Sequence, residues 1–378
     1  MKEQGNQGLL SKRSSLGRSE DSFPESWRKI LNLLPFGGSL TDVMRIFFSL
    51  FLFFAFAVAG GADVPKSGDD ALRIQIFLDQ NCFGPGFLDG KPGNFTQRAV
   101  YSYNRFRGRP PGAWDALLEE AEKKVKNLYA VGIVPSFSKS YINPDLPQEY
   151  EDVGGVKLMA YRSYLEFMAE RYHTSESFLI ELNSKSKAYS LKPGDPVIVP
   201  NIEPFRIEDL AVGRMHKEDE KLSRNNVVID TKNKQLFVYD PSQPTIVVPG
   251  TAMIVSEEEQ EPLGKMVAMF PITPGQEKFI HRGAWKMETC VEFPSWRYDK
   301  QLLQTGQRSK EAIQVAHGPN SPVGVLWCGL SRSGIGIHGT SSPRTIGRSQ
   351  SAGCYRLSNW DAARFPQFVR PGANVIVR

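Results

Sequence analysis

From Asn226 to its C-terminus the chain is a succession of short apolar, β-branched runs, "NVVID", "QLFVYD", "TIVV", "GVLWCGL" and "ANVIV", broken by Gly and Pro. Such runs between turn formers read as strands, because branched side chains pack well on a pleated, half-buried surface. "NVVIDTKNKQLFVYD" sets two of them around "TKNK", which predicts a hairpin. Hardly any stretch there repeats apolar residues at helical spacing. Residues 225–378 are therefore predicted to form a mostly β C-terminal domain.

The upstream texture differs. Residues 71–107 give a helical stretch with Leu72, Ile76 and Leu78, a turn-rich loop, and a second helix with Ala99, Tyr103 and Phe106 on one face. Residues 164–201 give two amphipathic helices, a Lys-Pro-Gly-Asp turn and a strand from Val197 to Val199. His173, in this stretch, is expected on a surface or half-buried helix position. At 378 residues the chain is long enough for two or three cores, so a multidomain protein is expected. The boundaries read as a flexible polar tail over 1–42, an apolar segment over 43–62, a helical module over 70–112, a connector over 113–156, a small α+β module over 157–203, a linker over 204–224, and the β domain over 225–378.

"RIFFSLFLFFAFAVAGGAD" opens on a charge, runs apolar, and ends in small residues, the layout of a secretory signal. Ile46 to Ala62 is at the lower edge of bilayer-spanning length, so a retained anchor in the inner membrane is the alternative. Either way the chain is expected to be exported, to the periplasm or cell envelope. A start at Met44 would give an ordinary signal N-terminus. The formal charge of +5 permits loose attraction to an anionic surface, but nothing resembles a nucleic-acid motif and no basic run is dense enough for a binding arm, so no nucleic-acid partner is expected. Four cysteines are too few for a disulfide scaffold. Cys290 and Cys328 are available to pair, Cys82 reads as a small buried hydrophobe, and Cys354 is left.

"SGIGIHGT" delivers His338 at the end of a short strand, and "SAGCYRLSN" places Cys354 beyond a Ser-, Pro- and Gly-rich loop able to fold the thiol back onto the imidazole. A thiol with a pKa near ~8.5 is only slightly ionised at neutral pH and needs a base to become a nucleophile. His338 is that base. Gly353 leaves room for a carbonyl and lets its own amide and that of Cys354 face a developing oxyanion. The imidazole is oriented by a distant carboxylate or by a backbone carbonyl such as that of Gly339. Ser351 and Arg356 are candidate substrate contacts, with bracing of the loop the alternative for Arg356. Asn359 reads as structural. A papain-like protease would place its Cys ahead of its His, the reverse of the order here.

"IHGT" and "S-x-G-C-x-R-L-x-N", with the opening hairpin, "SPVG" and the closing "PGANVIV", resemble the L,D-transpeptidases of the YkuD type. The resemblance implies a β-sandwich or barrel domain, Cys354 as nucleophile, His338 as base, Gly339 orienting the ring, no metal and no cofactor. It implies transfer of a peptidoglycan stem from Cys354 to an amine, acylation by carbapenems, and stem peptides and glycan strands as partners. Transfer to water would make an L,D-carboxypeptidase, and a wall-binding protein without catalysis is the alternative of another class. "FGPGFLDGKPGNFTQRAV" resembles peptidoglycan-binding helical modules. Residues 164–201 resemble a LysM domain through Ala169, Tyr172, Leu182, Asn183, Leu191, Gly194, Asp195, Val199 and Pro200, without that family's leading strand.

Overall fold

The computed structural model describes residues 68–244, 263–305, 307–310, 312–349 and 353–378. The expected tail (1–42), the signal or anchor segment (43–62) and all of "TIVVPGTAMIV" lie outside the described residues. Among the described residues no helix is long and apolar enough to cross a membrane.

Three helices come first: α1 (Asp69–Gln80), α2 (Asn94–Phe106) and α3 (Trp114–Lys124). Leu72, Ile76 and Leu78 of α1, Ala99 and Tyr103 of α2, and Leu117 and Ala121 of α3 are all buried. Each fully buried large apolar side chain of this kind contributes about 1.5–3 kcal/mol by leaving water. The segment read as a connector thus carries a third packed helix. It also carries β1 (Tyr129–Ile133).

Next come α4 (Tyr164–Arg171), α5 (Glu176–Asn183), α6 (Lys185–Tyr189) and β2 (Pro196–Pro200). Ser163 caps α4 by accepting from the Glu166 amide at 3.0 Å, and Ser175 caps α5 from the Phe178 amide at 3.2 Å. β2 pairs antiparallel with β1, Val199 opposite Ala130. The strand that partners β2 therefore lies upstream of 164–201, with residues 134–163 inserted between them.

The C-terminal domain holds β3 (Asn226–Asp230), β4 (Gln235–Asp240), β5 (Lys265–Pro271), β6 (Gly283–Lys286), β7 (Val291–Glu292) and β8 (Trp296–Tyr298). It continues through α7 (Lys300–Thr305), β9 (Ile313–Val315), β10 (Leu326–Gly329), β11 (Gly336–His338), β12 (Tyr355–Arg356), α8 (Asn359–Arg364) and β13 (Asn374–Val377). β3 and β4 form the expected hairpin. Their sheet has the order β5-β4-β3-β13-β6, and a second has the order β12-β11-β10-β7. The chain's last strand is internal to its sheet, parallel to β3 and antiparallel to β6, which explains why Val375 and Val377 are both buried. A disulfide joins Cys290 to Cys328.

The described residues from 68 to 378 belong to one compact unit. One apolar core runs from Leu72 and Ile76 through Leu165 and Phe167 to Val227 and Val375. The stretch read as a linker joins it: Ile207 is buried, and the Phe205 amide donates to the Arg171 carbonyl at 2.7 Å.

His173 departs from its expected exposure. It is buried just past α4 in the left-handed region (φ 51°), where the turn swings the ring inward. Its Nδ1 lies 3.0 Å from Asp79 Oδ2, and the ring stacks on Trp360 at 5.3 Å. Arg364 bridges Asp79 and Asp361. Together these charges hold the Asp79 carboxyl far below its usual range despite burial. Helical spacing near residue 173 carries no trace of these partners.

Candidate active site

Strand register assembles the site. Trp327 of β10 lies opposite His338 of β11, and His338 lies beside Arg356 of β12. Partners across a sheet project to the same face, so Trp327, His338 and Arg356 form one row. The pairing of Ile337 with Tyr355 puts Cys354 next to Gly336, which has no side chain to fill the space. Cys354 lies one residue before β12, and its thiol and the Arg356 guanidinium are within electrostatic reach of each other.

His338 is buried at the end of β11, with Nδ1 2.7 Å from the carbonyl oxygen of Gly339. A carbonyl only accepts, so Nδ1 carries the proton and Nε2 is left as the basic nitrogen. Burial, and then the Arg356 charge, push the imidazole pKa down to about 3 against the opposing Gly339 bond. The Trp327 ring stacks on it at 5.5 Å and 22°.

Cys354 is also buried, its Sγ 3.5 Å from the Gly334 carbonyl. Burial raises the thiol pKa to about 11, against lowering by a backbone hydrogen bond at Gly336 and by Arg356. The resting site is thus a neutral thiol and a neutral imidazole, not a preformed ion pair. Arg356 is largely enclosed, and its Nε has no partner among the described residues.

Gly353 has φ +112°, a conformation L side chains rarely adopt, and a Cβ there would press on Ile335 and the Phe279 carbonyl. Asn359 ties the rest together. Its Oδ1 accepts from the Val325 amide at 3.2 Å and the Thr340 amide at 3.1 Å, and Nδ2 donates to Glu170 at 2.9 Å and the Pro319 carbonyl at 3.1 Å. Any Cβ on Gly324 or Gly339 would collide with Asn359 Oδ1, so the glycine of "SPVG" and the glycine after His338 both make room for it.

With the geometry in place, the comparisons with known proteins decide the family of this domain. Residues 224–377 match YkuD, the L,D-transpeptidase catalytic domain. The YkuD protein of Bacillus subtilis (strain 168) is 36% identical over 78 residues, covering 21% of this chain and 48% of that protein. That of Bacillus licheniformis is 35% identical over 78 residues, covering 21% and 47%. The chain therefore spans about half the length of these relatives. Among solved structures, an L,D-transpeptidase from Mycobacterium smegmatis aligns at 18% identity and TM-score 0.28, over 41% of this chain and 58% of that one. L,D-transpeptidase 3 from Mycobacterium tuberculosis aligns at 14% identity and TM-score 0.28, over 50% and 76%.

Within the YkuD-type domain the structure sets His338 beside Gly339 and Arg356, and Gly353 and Cys354 lead into the strand that carries Arg356, while Ser351 lies outside the described residues. Sequence reasoning did not single out Trp327, Glu170 or Tyr150. Trp327 is placed by register alone. Glu170 comes from α4, and Tyr150, from the insertion before α4, is hydrogen-bonded to Ser341 at 2.8 Å. Among the described residues no group of three or more His, Cys, Asp or Glu is placed to hold a metal ion.

Proposed function

We propose that this protein is a peptidoglycan L,D-transpeptidase using Cys354 as nucleophile. The observation that carries the reading is the bond from His338 Nδ1 to the Gly339 carbonyl, which leaves Nε2 basic beside the strand that Cys354 leads into. Cys354 attacks the carbonyl that precedes the terminal D-residue of a stem tetrapeptide as its proton passes to His338. The amides of Gly353 and Cys354 hold the oxyanion. His338 then protonates the departing amine, and a thioester remains. An amine from a second stem resolves it to a cross-link. The Arg356 Nε, without a hydrogen-bond partner among the described residues, supports a role for that residue in holding the donor's carboxylate.

The β1–β2 pairing around α4 and α5 supports a LysM-like, wall-binding role for 157–203, with the helical module of 70–112 beside it. The disulfide fits an oxidising compartment and supports export to the envelope. A carbapenem tests the nucleophile. One equivalent should add to Cys354 and appear on a single tryptic peptide, while a label on Cys82 would refute the assignment.

A further inference from the structure

A cavity of about 280 Å³ opens between residues 85–98 and the stretch 343–348, which lies on the way from His338 to Cys354, and neither of those two residues lines it. Five cations do: Lys91 and Arg98 from the helical segment, Lys234 from the β3–β4 turn, and Arg344 and Arg348 from the 343–348 stretch. They approach from three separate parts of the chain, so no local spacing in the sequence groups them. The walls fit closely. A Cβ on Gly347 would run into the Phe95 ring, and Lys234 Nζ donates to the Gly347 carbonyl at 2.6 Å.

The protein itself offsets only part of this charge. Arg98 and Lys234 donate to the carbonyls of Asn233 and Gly347, which accept a hydrogen bond but carry no net charge. Arg344 and Arg348 are exposed and make no ion pair among the described residues. Two carboxylates line the cavity, Asp89 and Asp361. Asp361 is already paired with Arg364, and burial raises the Asp89 carboxyl toward its neutral form. Outside the cavity wall, Glu181 reaches Lys91 at 3.5 Å with both side chains exposed, and Glu176 is within electrostatic reach of Arg344. The cations therefore outnumber the carboxylates that face them, and the cavity favours an anion. The first turn of α2 lies at its rim behind Gly93, with no side-chain cap, and adds its amides to the same positive region.

We propose that this cavity binds a phosphate group. Oxygens arranged as a tetrahedron take donors from three sides at once, whereas a planar carboxylate takes them within one plane. Arg344 and Arg348 hold the group from the loop, and Lys91 and Arg98 hold it from the helical segment. The ligand thereby ties the stretch between His338 and Cys354 to the upstream part of the protein. An adjoining depression shares Asp89, Lys91, Gly93 and Arg348 and continues past Tyr129 and Phe178, which gives room for a polyol attached to the phosphate. The group is thus a free phosphate ion or one unit of a phosphodiester chain. The site stands independently of the transpeptidase reading.

Titration calorimetry on the full chain at fixed ionic strength tests this, with inorganic phosphate and a glycerol phosphodiester as probes and malonate as a planar dianion for comparison. At least one phosphate probe should bind saturably and about tenfold tighter than malonate, and the tighter of the two identifies the source. Arg344→Gln combined with Arg348→Gln should weaken that binding about tenfold. Both side chains are exposed, so the unfolding midpoint in phosphate-free buffer should stay at the parent's value. Trypsin cleavage after Arg344 and Arg348 in the unsubstituted protein reads the same site without any variant. Saturating phosphate should slow those two cuts about fivefold relative to the cut after the exposed Lys139. No saturable binding of either phosphate probe, malonate binding as tightly, or a double variant that binds like the parent overturns the proposal, as do cuts that phosphate leaves unslowed.

Discussion

Glu170 of α4 accepts the Asn359 Nδ2 hydrogen bond at 2.9 Å, and Asn359 in turn holds the amides of Val325 and Thr340. A residue outside the YkuD match thereby braces the turn that presents Gly339 to His338. Asn359→Ala should orphan buried amides at about 1–3 kcal/mol each. Urea unfolding should show the loss, and donor acylation should slow as His338 loses its fixed tautomer.

The Glu170 carboxyl is raised to about 8, chiefly by burial, so it is protonated in the folded protein at neutral pH. The unfolded chain releases that proton near the ordinary glutamate value of 4.5. This contribution to stability is therefore complete below about pH 4.5 and is lost as pH rises through about 8. Glu170→Gln removes the titration. Its unfolding midpoint should fall less than that of the parent between pH 5 and pH 8, and parallel pH dependences would contradict the assignment.

The parts of this molecule that were legible in its sequence are those written locally. The apolar runs at 226–240 and 374–377 became strands because their composition leaves few alternatives. His338, Gly339, Gly353 and Cys354 lie in two short motifs whose chemistry is explicit. Trp327, Tyr150 and Glu170 reach the site through register and packing between distant segments, and no local spacing encodes that. His173 misled for the same reason. The apolar core is continuous through the upstream segments and the β domain, so deleting an upstream segment would expose apolar surface on the rest.

The two perturbed groups set the pH behaviour of acylation. His338 stays neutral down to about 3, and the Cys354 thiol stays protonated up to about 11. Acylation by a carbapenem should vary less than about threefold between pH 5 and pH 9 and rise only in strong alkali. His338→Ala should be slower by about 10²–10⁴-fold across that range. A bell-shaped profile centred near neutrality would indicate an ion pair in place of two neutral groups.

Cys354→Ala should leave the unfolding midpoint nearly unchanged, because the methyl group occupies part of the thiol's site and no disulfide is lost. A large loss of stability would mean that Cys354 serves packing first.

Mass spectrometry of stem tetrapeptides incubated with the protein tests the central claim most directly. The unsubstituted chain should release the terminal D-residue, pass through a mass shift on Cys354, and yield dimers joined through their third-position diamino acids, all absent with Cys354→Ala. Dimers formed equally by Cys354→Ala, or no acyl-enzyme and no product from the unsubstituted chain, would contradict the account.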